Sequence, residues 1–413
     1  MKKQKRNTSN TVAALDIGSS KISCVIAHLS PTDKPKIVGV GQHVSQGIKG
    51  GSIVDMEALQ QSILKAVQSA EEKAKETIKA VVVNIPGVHL TSRVVKASMS
   101  ISGHAVDTTD IQKVLAQAQN ESEKNGQEVI HALPISFSID GNSEIQDPRG
   151  LYGNKMDVNV HTITSPEGPV KNIATCVGKC HLDVSGMVAT PLASAISTLV
   201  EDEKDLGCTL IDMGGGTTTI SVYANGSLVH TDSLPVGGMH VTNDIAQCLS
   251  TPILHAERLK TLHGSVSLAP LSSNETIVVP QIGDEISSQA TQVPRSHLCD
   301  IIQPRIEEIF EIVKARLDKT PYASRAGGRL ILTGGASQLT GVRDIATSIL
   351  SKQVRIGRPL HVSGLEEDYA NPSFATCVGL LDFATRENKA LKKNDKIKKN
   401  MLGRVSLWLR ENL

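Results

Sequence analysis

The same short phrase occurs twice in this chain, about two hundred residues apart, and it limits the fold more than any other feature. The first copy is a strand-forming run at 12–17 whose end, Asp16-Ile-Gly18-Ser19-Ser20-Lys21, turns into a second strand at 21–29. The second copy is Cys208-Thr-Leu-Ile-Asp212, followed by Met-Gly214-Gly215-Gly216-Thr217-Thr218-Thr219 and a strand at 217–224. A hairpin with an acid at its tip that recurs at such a distance marks an internal duplication, so two lobes are expected, each opened by one copy. An acid at the end of a buried strand can hold hydrated Mg²⁺, and a tight turn of Gly and hydroxyl residues directs backbone N–H groups at phosphate. Gly214, Gly215 and Gly216 also let phosphate oxygens approach the chain closely. A third element, Leu332-Thr333-Gly334-Gly335-Ala336-Ser337, ends another strand where backbone can lie flat against a nucleoside. Each turn alone is explained equally well by an ordinary hairpin; the ordered set of three is the signal.

The rest of the chain reads as an elaboration of these two openings. Strands at 12–17, 21–29 and 36–44, a helix capped by Asp55 and running to about Lys75, and a buried strand at 80–85 give an α/β lobe core over 11–86. Between 87 and 165 the texture changes to strands at 89–100, 127–140 and 156–164 around a helix at 107–124, a small α+β module inserted in the first lobe. The first-lobe core resumes over 166–204, with a strand-like apolar run at 173–177 and an interlobe helix at 191–201. The second-lobe core opens at 205–235, a small subdomain with helices at 241–248 and 255–263 occupies 236–300, and core resumes over 301–372. Within those last two segments lie a polar stretch ending at Pro294, a long helix at 295–317 and a strand at 329–332. A polar leader (1–10), a closing helix of the first lobe (373–386), a lysine-rich linker (387–399) and an amphipathic segment (400–413) complete the order.

The three turns resemble the phosphate 1, phosphate 2 and adenosine motifs of the actin-like ATPase superfamily. That resemblance implies a two-lobed fold of duplicated ribonuclease-H-like cores, ATP and Mg²⁺ as cofactors, and Glu257 and Lys260 facing the adenosine. It implies nucleotide contacts at Gly18, Ser19, Ser20, Lys21, Gly214, Gly215, Gly216, Thr217, Thr218, Gly334, Gly335 and Ala336, with Asp16 and Asp212 holding Mg²⁺ through water. Actins, MreB-type filaments and chaperones of this fold insert their small subdomain between the third strand and the first helix. Here the insertion falls after Ile85-Pro86, and with Gly39-Val40-Gly41, Gly47-Ile48-Lys49-Gly50-Gly51, residues 354–360 and residues 375–381 the chain resembles the FtsA family of bacterial division proteins. A PilM-like homologue of pilus assembly is the alternative that shares the relocated subdomain. The FtsA resemblance implies self-association into protofilaments, contact with the C-terminal tail of FtsZ near Ile301 and Arg305, and contact with other division proteins. Relatives carry Glu-Pro at the start of the interlobe helix, whereas this chain reads Thr190-Pro191; a hydroxyl cannot serve as a carboxylate base, so weak or absent ATPase activity is expected.

Composition decides the remaining questions. Aromatic residues make up 2% of the chain and the net charge is +1, which argues against stacking platforms or a global field for nucleic acid. Seven scattered cysteines argue against a disulfide framework, and Cys176, Cys180 and His181 read as buried thiols beside a histidine rather than a metal set. In the last segment Met401, Leu402, Val405, Trp408, Leu409 and Leu413 recur at helical spacing, with Arg404 and Arg410 off the stripe and Lys398 and Lys399 before it. The sole tryptophan and the basic flank point to an anionic lipid surface, with the body of the protein expected in the cytoplasm, and the FtsA resemblance implies that this surface is the cytoplasmic face of the inner membrane.

Overall fold

The computed structural model describes residues 11–30, 34–123, 126–267, 275–282, 291–322, 325–360 and 362–393. β1 (Thr11–Ile17), β2 (Lys21–His28) and β3 (Lys36–Val44) form an antiparallel meander. A short ladder of β4 (Ile48–Lys49) with β5 (Ser52–Ile53) turns the chain into α1 (Met56–Ala74). Asp55 caps that helix, its carboxylate accepting from the Glu57 and Ala58 N–H groups, each at 3.0 Å. β6 (Ala80–Ile85) returns parallel to β1.

The insertion follows as β7 (Thr91–Ser100), α2 (Thr108–Ser122), β8 (Gln127–Ile139), β9 (Asn142–Ile145) and β10 (Lys155–Pro166), a sheet ordered β7-β10-β8-β9 with its own apolar core against α2. α3 (Glu167–Lys179) and β11 (Asp183–Ala189) complete the first sheet, β11-β6-β1-β2-β3, and α4 (Thr190–Thr198) and α5 (Glu201–Asp205) lead onward. In the second lobe β12 (Cys208–Met213), β13 (Thr218–Ala224) and β14 (Ser227–Leu234) repeat the meander, followed by α6 (Gly238–Cys248) and α7 (Ile253–His263). A hairpin of β15 (Thr276–Val279) with β16 (Thr291–Pro294) precedes α8 (Arg295–Asp318). β17 (Arg329–Thr333), α9 (Val342–Leu350) and β18 (Gln353–Ile356) finish the sheet, and α10 (Ala375–Lys393) crosses back between the lobes.

The second sheet runs β14-β13-β12-β17-β18, matching β3-β2-β1-β6-β11 of the first: an antiparallel meander, then two parallel strands. The repeated phrase therefore reflects a repeated topology. α1 and α3 cover one face of the first sheet, and α6, α8 and α9 pack on the second. α4 and α10 fill the middle, in a cluster that mixes Ala14 and Val25 of the first lobe with Leu210 and Ile331 of the second.

Four expectations are corrected. Residues 173–177 are not a strand but lie in α3, where Cys176 and Cys180 share a buried face and the Cys180 thiol donates back to the Cys176 carbonyl at 3.4 Å. The polar stretch before Pro294 contains the β15–β16 hairpin. The interlobe helix ends at Thr198, and the separate short helix α5 begins at Glu201. The closing helix runs to Lys393, so its last two turns occupy the first half of the expected linker. The amphipathic segment, with Met401, Leu402, Arg404, Val405, Trp408, Leu409 and Arg410, lies outside the described residues.

Candidate functional site

The two acids occupy equivalent rungs: Asp16 opposite Ser23 in the β1–β2 ladder, Asp212 opposite Thr219 in the β12–β13 ladder. Each turn is closed by the same bond, Gly18 N–H to Lys21 O at 3.1 Å and Gly214 N–H to Thr217 O at 2.9 Å. The turns face each other so closely that a Cβ on Gly215 would lie 2.7 Å from Ser20 Cβ, and one on Gly216 2.7 Å from Ser19 Cβ. Only glycine fits there. Gly334, at φ +85°, is constrained twice over, because a side chain would be strained and its Cβ would lie 2.3 Å from an Asp212 carboxylate oxygen.

A cavity of ≈ 630 Å³ opens between the lobes and takes in both acids, both turns, the Gly334-Gly335-Ala336 strand end, Glu257 and Lys260. This lies within the usual size of a small-molecule site, roughly 300–1,000 Å³. Burial pushes the Asp16 carboxyl up to about 7, against the attraction of Lys21 and with a further push from Asp212. It pushes Asp212 up to about 6, although Thr376 Oγ1 donates to its Oδ2 at 3.1 Å. Burial also lowers Lys21 to about 8. Two desolvated carboxyls facing a glycine cradle form a site of hard oxygen donors suited to hydrated Mg²⁺. The Thr219 hydroxyl, buried on the cavity wall and without a hydrogen-bond partner among the described residues, is a further group that a bound ligand or water would satisfy.

These shifts predict a pH dependence. Both carboxyls bind protons more tightly in the folded state (about 7 and about 6) than at the ordinary value of 3.8, so between these limits the unfolded chain holds fewer protons. Their contribution to stability is therefore present at low pH and lost as pH rises to about 7. Denaturant titrations without divalent cation should show Asp16→Asn less affected than the unsubstituted protein by raising pH across this interval. Parallel curves would contradict the assignment.

The nucleoside end is tied together differently from the expectation. Lys260 Nζ lines the cavity, but donates to Gly238 O at 3.0 Å, Thr242 Oγ1 at 2.8 Å and Glu257 Oε2 at 2.7 Å, so its ammonium fixes α7 to the start of α6. Thr218 is not on the cavity: strand alternation buries its side chain, which donates to Val236 O at 2.8 Å, and leaves Thr217 and Thr219 facing inward. Ile301 is partly buried against the second-lobe core. Arg305 is held by Asp244 of α6 in two bonds, at 2.7 and 3.1 Å, and also meets Glu308. Its charge is already answered within the chain.

Residues that the motifs did not announce complete the site. Asn84 Oδ1 accepts from Ile17 N–H at 2.8 Å, and its amide donates to Thr190 Oγ1 at 3.2 Å. Thr190 Oγ1 in turn donates to Ile85 O at 2.9 Å, so the hydroxyl where relatives have an acid is an anchor between strand and helix. A lone Asn near the end of the apolar strand 80–85 was the available signal. Ser373 and Thr376, at the entry to α10, contact Lys21 and Asp212 respectively and carried no sequence signal.

Comparison with known proteins matches residues 209–379 to the family model described as "Cell division protein FtsA" and residues 87–164 to the "SHS2 domain inserted in FTSA". A protein named "Cell division protein FtsA" from Rhizobium meliloti (strain 1021) is 43% identical over 383 residues, covering 90% of this chain and 87% of the relative. Among solved structures, the PilM-PilN type IV pilus biogenesis complex aligns with TM-score 0.66 at 16% identity, covering 91% of this chain and 98% of that one. MreB5 of Spiroplasma citri bound to ADP aligns with TM-score 0.55 at 15% identity, covering 94% and 99%. The structural likenesses establish an actin-like fold.

Proposed function

Because the chain belongs to the FtsA family of cell-division proteins, we propose that it binds Mg-ATP between its lobes and tethers FtsZ filaments to the cytoplasmic face of the inner membrane. The observation that carries the nucleotide half is the pair of buried acids, Asp16 and Asp212, each at the tip of a glycine-bearing turn on the wall of one cavity. In this reading the backbone at 18–20 and 214–217 cradles phosphate, the two carboxylates orient water on Mg²⁺, and Gly334, Gly335, Ala336 and Glu257 meet the nucleoside. The bound cation supplies charge neutralisation. The chain's own part is to hold the two carboxyls buried at the turn tips, where burial favours their protonated form and a cation bound beside them would favour the ionised one.

Membrane contact is assigned to residues 400–413, and no helix among the described residues is long and apolar enough to cross a membrane. An FtsZ tail reaching Ile301 and Arg305 would exchange a peptide carboxylate for Asp244 or Glu308 at the guanidinium. Self-association into protofilaments and contact with later division proteins belong to the same reading. The PilM likeness is one of fold alone, at 16% identity, and no observation favours a pilus role over division.

Hydrolysis is expected to be slow. Thr190 cannot accept a proton from water while its hydroxyl bridges Asn84 and Ile85, and steady-state turnover should fall below roughly 1 s⁻¹, the low end of typical enzymes. Faster turnover would place the base elsewhere. The tethering role is tested by floating FtsZ polymers with anionic vesicles: FtsZ should rise with the vesicles only when this protein is added, and FtsZ remaining at the bottom would overturn the proposal.

A further inference from the structure

We propose that Ser373 and Phe374 are positioning residues that hold the Lys21 ammonium at the phosphate end of the cavity, an inference resting on the nucleotide reading above. Lys21 follows directly on Ser19 and Ser20 of the first turn, and its Nζ donates to Ser373 Oγ at 2.8 Å. The same nitrogen lies 3.6 Å from the centroid of the Phe374 ring. Ser373 is itself oriented: its hydroxyl and its N–H both donate to Asn371 Oδ1, at 2.6 and 2.9 Å, which leaves the oxygen lone pairs to receive Lys21. Phe374 is buried and braced edge-on by Tyr369, with ring centroids 5.1 Å apart, and Lys73 of α1 donates to the Tyr369 hydroxyl at 2.9 Å. The whole chain has only four Phe and four Tyr, so a Phe–Tyr pair beneath this lysine is not the by-product of an aromatic-rich core.

A lysine on a four-carbon stem would otherwise sample many rotamers and lose that freedom on meeting phosphate. Ser373 occupies one of its three N–H donors and the ring face steers the cation, leaving donors for an anion in the cavity that Lys21 lines. The ordering is thus done before the ligand arrives. The entry to α10 reaches the other hairpin as well, through Thr376 and Asp212, so one short segment sets the lysine of the first turn and the acid of the second.

The test compares equilibrium affinities of the full chain for ATP, inorganic tripolyphosphate and adenosine, with thermal unfolding as the control for folding. Ser373→Ala and Phe374→Leu should each weaken ATP and tripolyphosphate roughly tenfold while leaving adenosine unchanged. Ser373→Thr and Phe374→Tyr, which keep the hydroxyl and the ring, should restore affinity. Equal losses for adenosine and ATP would reduce both residues to structural ones, and unchanged or tighter ATP binding would overturn the proposal outright. If Phe374→Leu does not fold, Ser373→Ala, which removes a single oxygen, decides alone. Failure of the unsubstituted protein to bind ATP would overturn the nucleotide reading and this inference together, whereas normal binding with unaffected variants would remove only the latter.

Discussion

Gly379→Val should leave no stably folded protein, and Gly379→Ala should lower stability by about 3 kcal/mol or more in denaturant titrations. Gly379 lies in the second turn of α10 where that helix crosses α4, and a Cβ there would fall 1.7 Å from Ala193 O and 2.5 Å from Ala193 C. The clash is with backbone, so no rotamer change relieves it. Separating the helices would open the cluster of Leu192, Ala195, Val378 and Leu381 and break the Ser197 Oγ to Ala375 O bond of 2.7 Å. Because this cluster joins residues of both sheets, the damage reaches the packing between the lobes and the placement of Thr376 on Asp212. An alanine variant as stable as the unsubstituted protein would mean that α4 and α10 do not cross at this contact.

Deleting residues 400–413 should abolish binding to anionic vesicles while leaving ATP affinity intact. The segment's apolar residues repeat at helical spacing, and a lysine-rich stretch that includes Lys396, Lys398 and Lys399 precedes them in the sequence. Trp408→Glu should reproduce the deletion, since a carboxylate beside Val405 and Leu409 would have to be desolvated to enter the acyl boundary. Salt should weaken binding, and neutral lipid should bind less well, because Lys398, Lys399, Arg404 and Arg410 act through a screened field worth roughly 1 kcal/mol per charge near the surface. A truncated chain that still floats with vesicles, or Trp408 fluorescence indifferent to lipid, would instead place the segment against the body of the protein.

What was legible in the sequence was local. The meander β1–β3, the Asp55 cap and the acid-tipped turns each depend on neighbours within a few residues, and they stand where the pattern put them. The run at 173–177 misled because a short apolar stretch carries no period of its own: in α3 its buried face packs on α1, with the Cys176 thiol 3.8 Å from the Met56 carbonyl. β15 and β16 escaped notice because each has four residues and their pairing joins positions well apart in the chain. The missing half of the site has the same origin. Lys21 and Ser373 are 352 positions apart, and only the crossing of α10 between the lobes brings them together.

The central claim, that the duplicated hairpins form one Mg-ATP site, is met most directly by titrating ATP into the full chain with and without Mg²⁺ and repeating the titration on Asp212→Ala. The account predicts Mg²⁺-dependent binding by the unsubstituted protein and a loss on the order of a hundredfold in the variant, with its folded state retained. Binding of equal strength in the variant, or no dependence on Mg²⁺ in either protein, would contradict it.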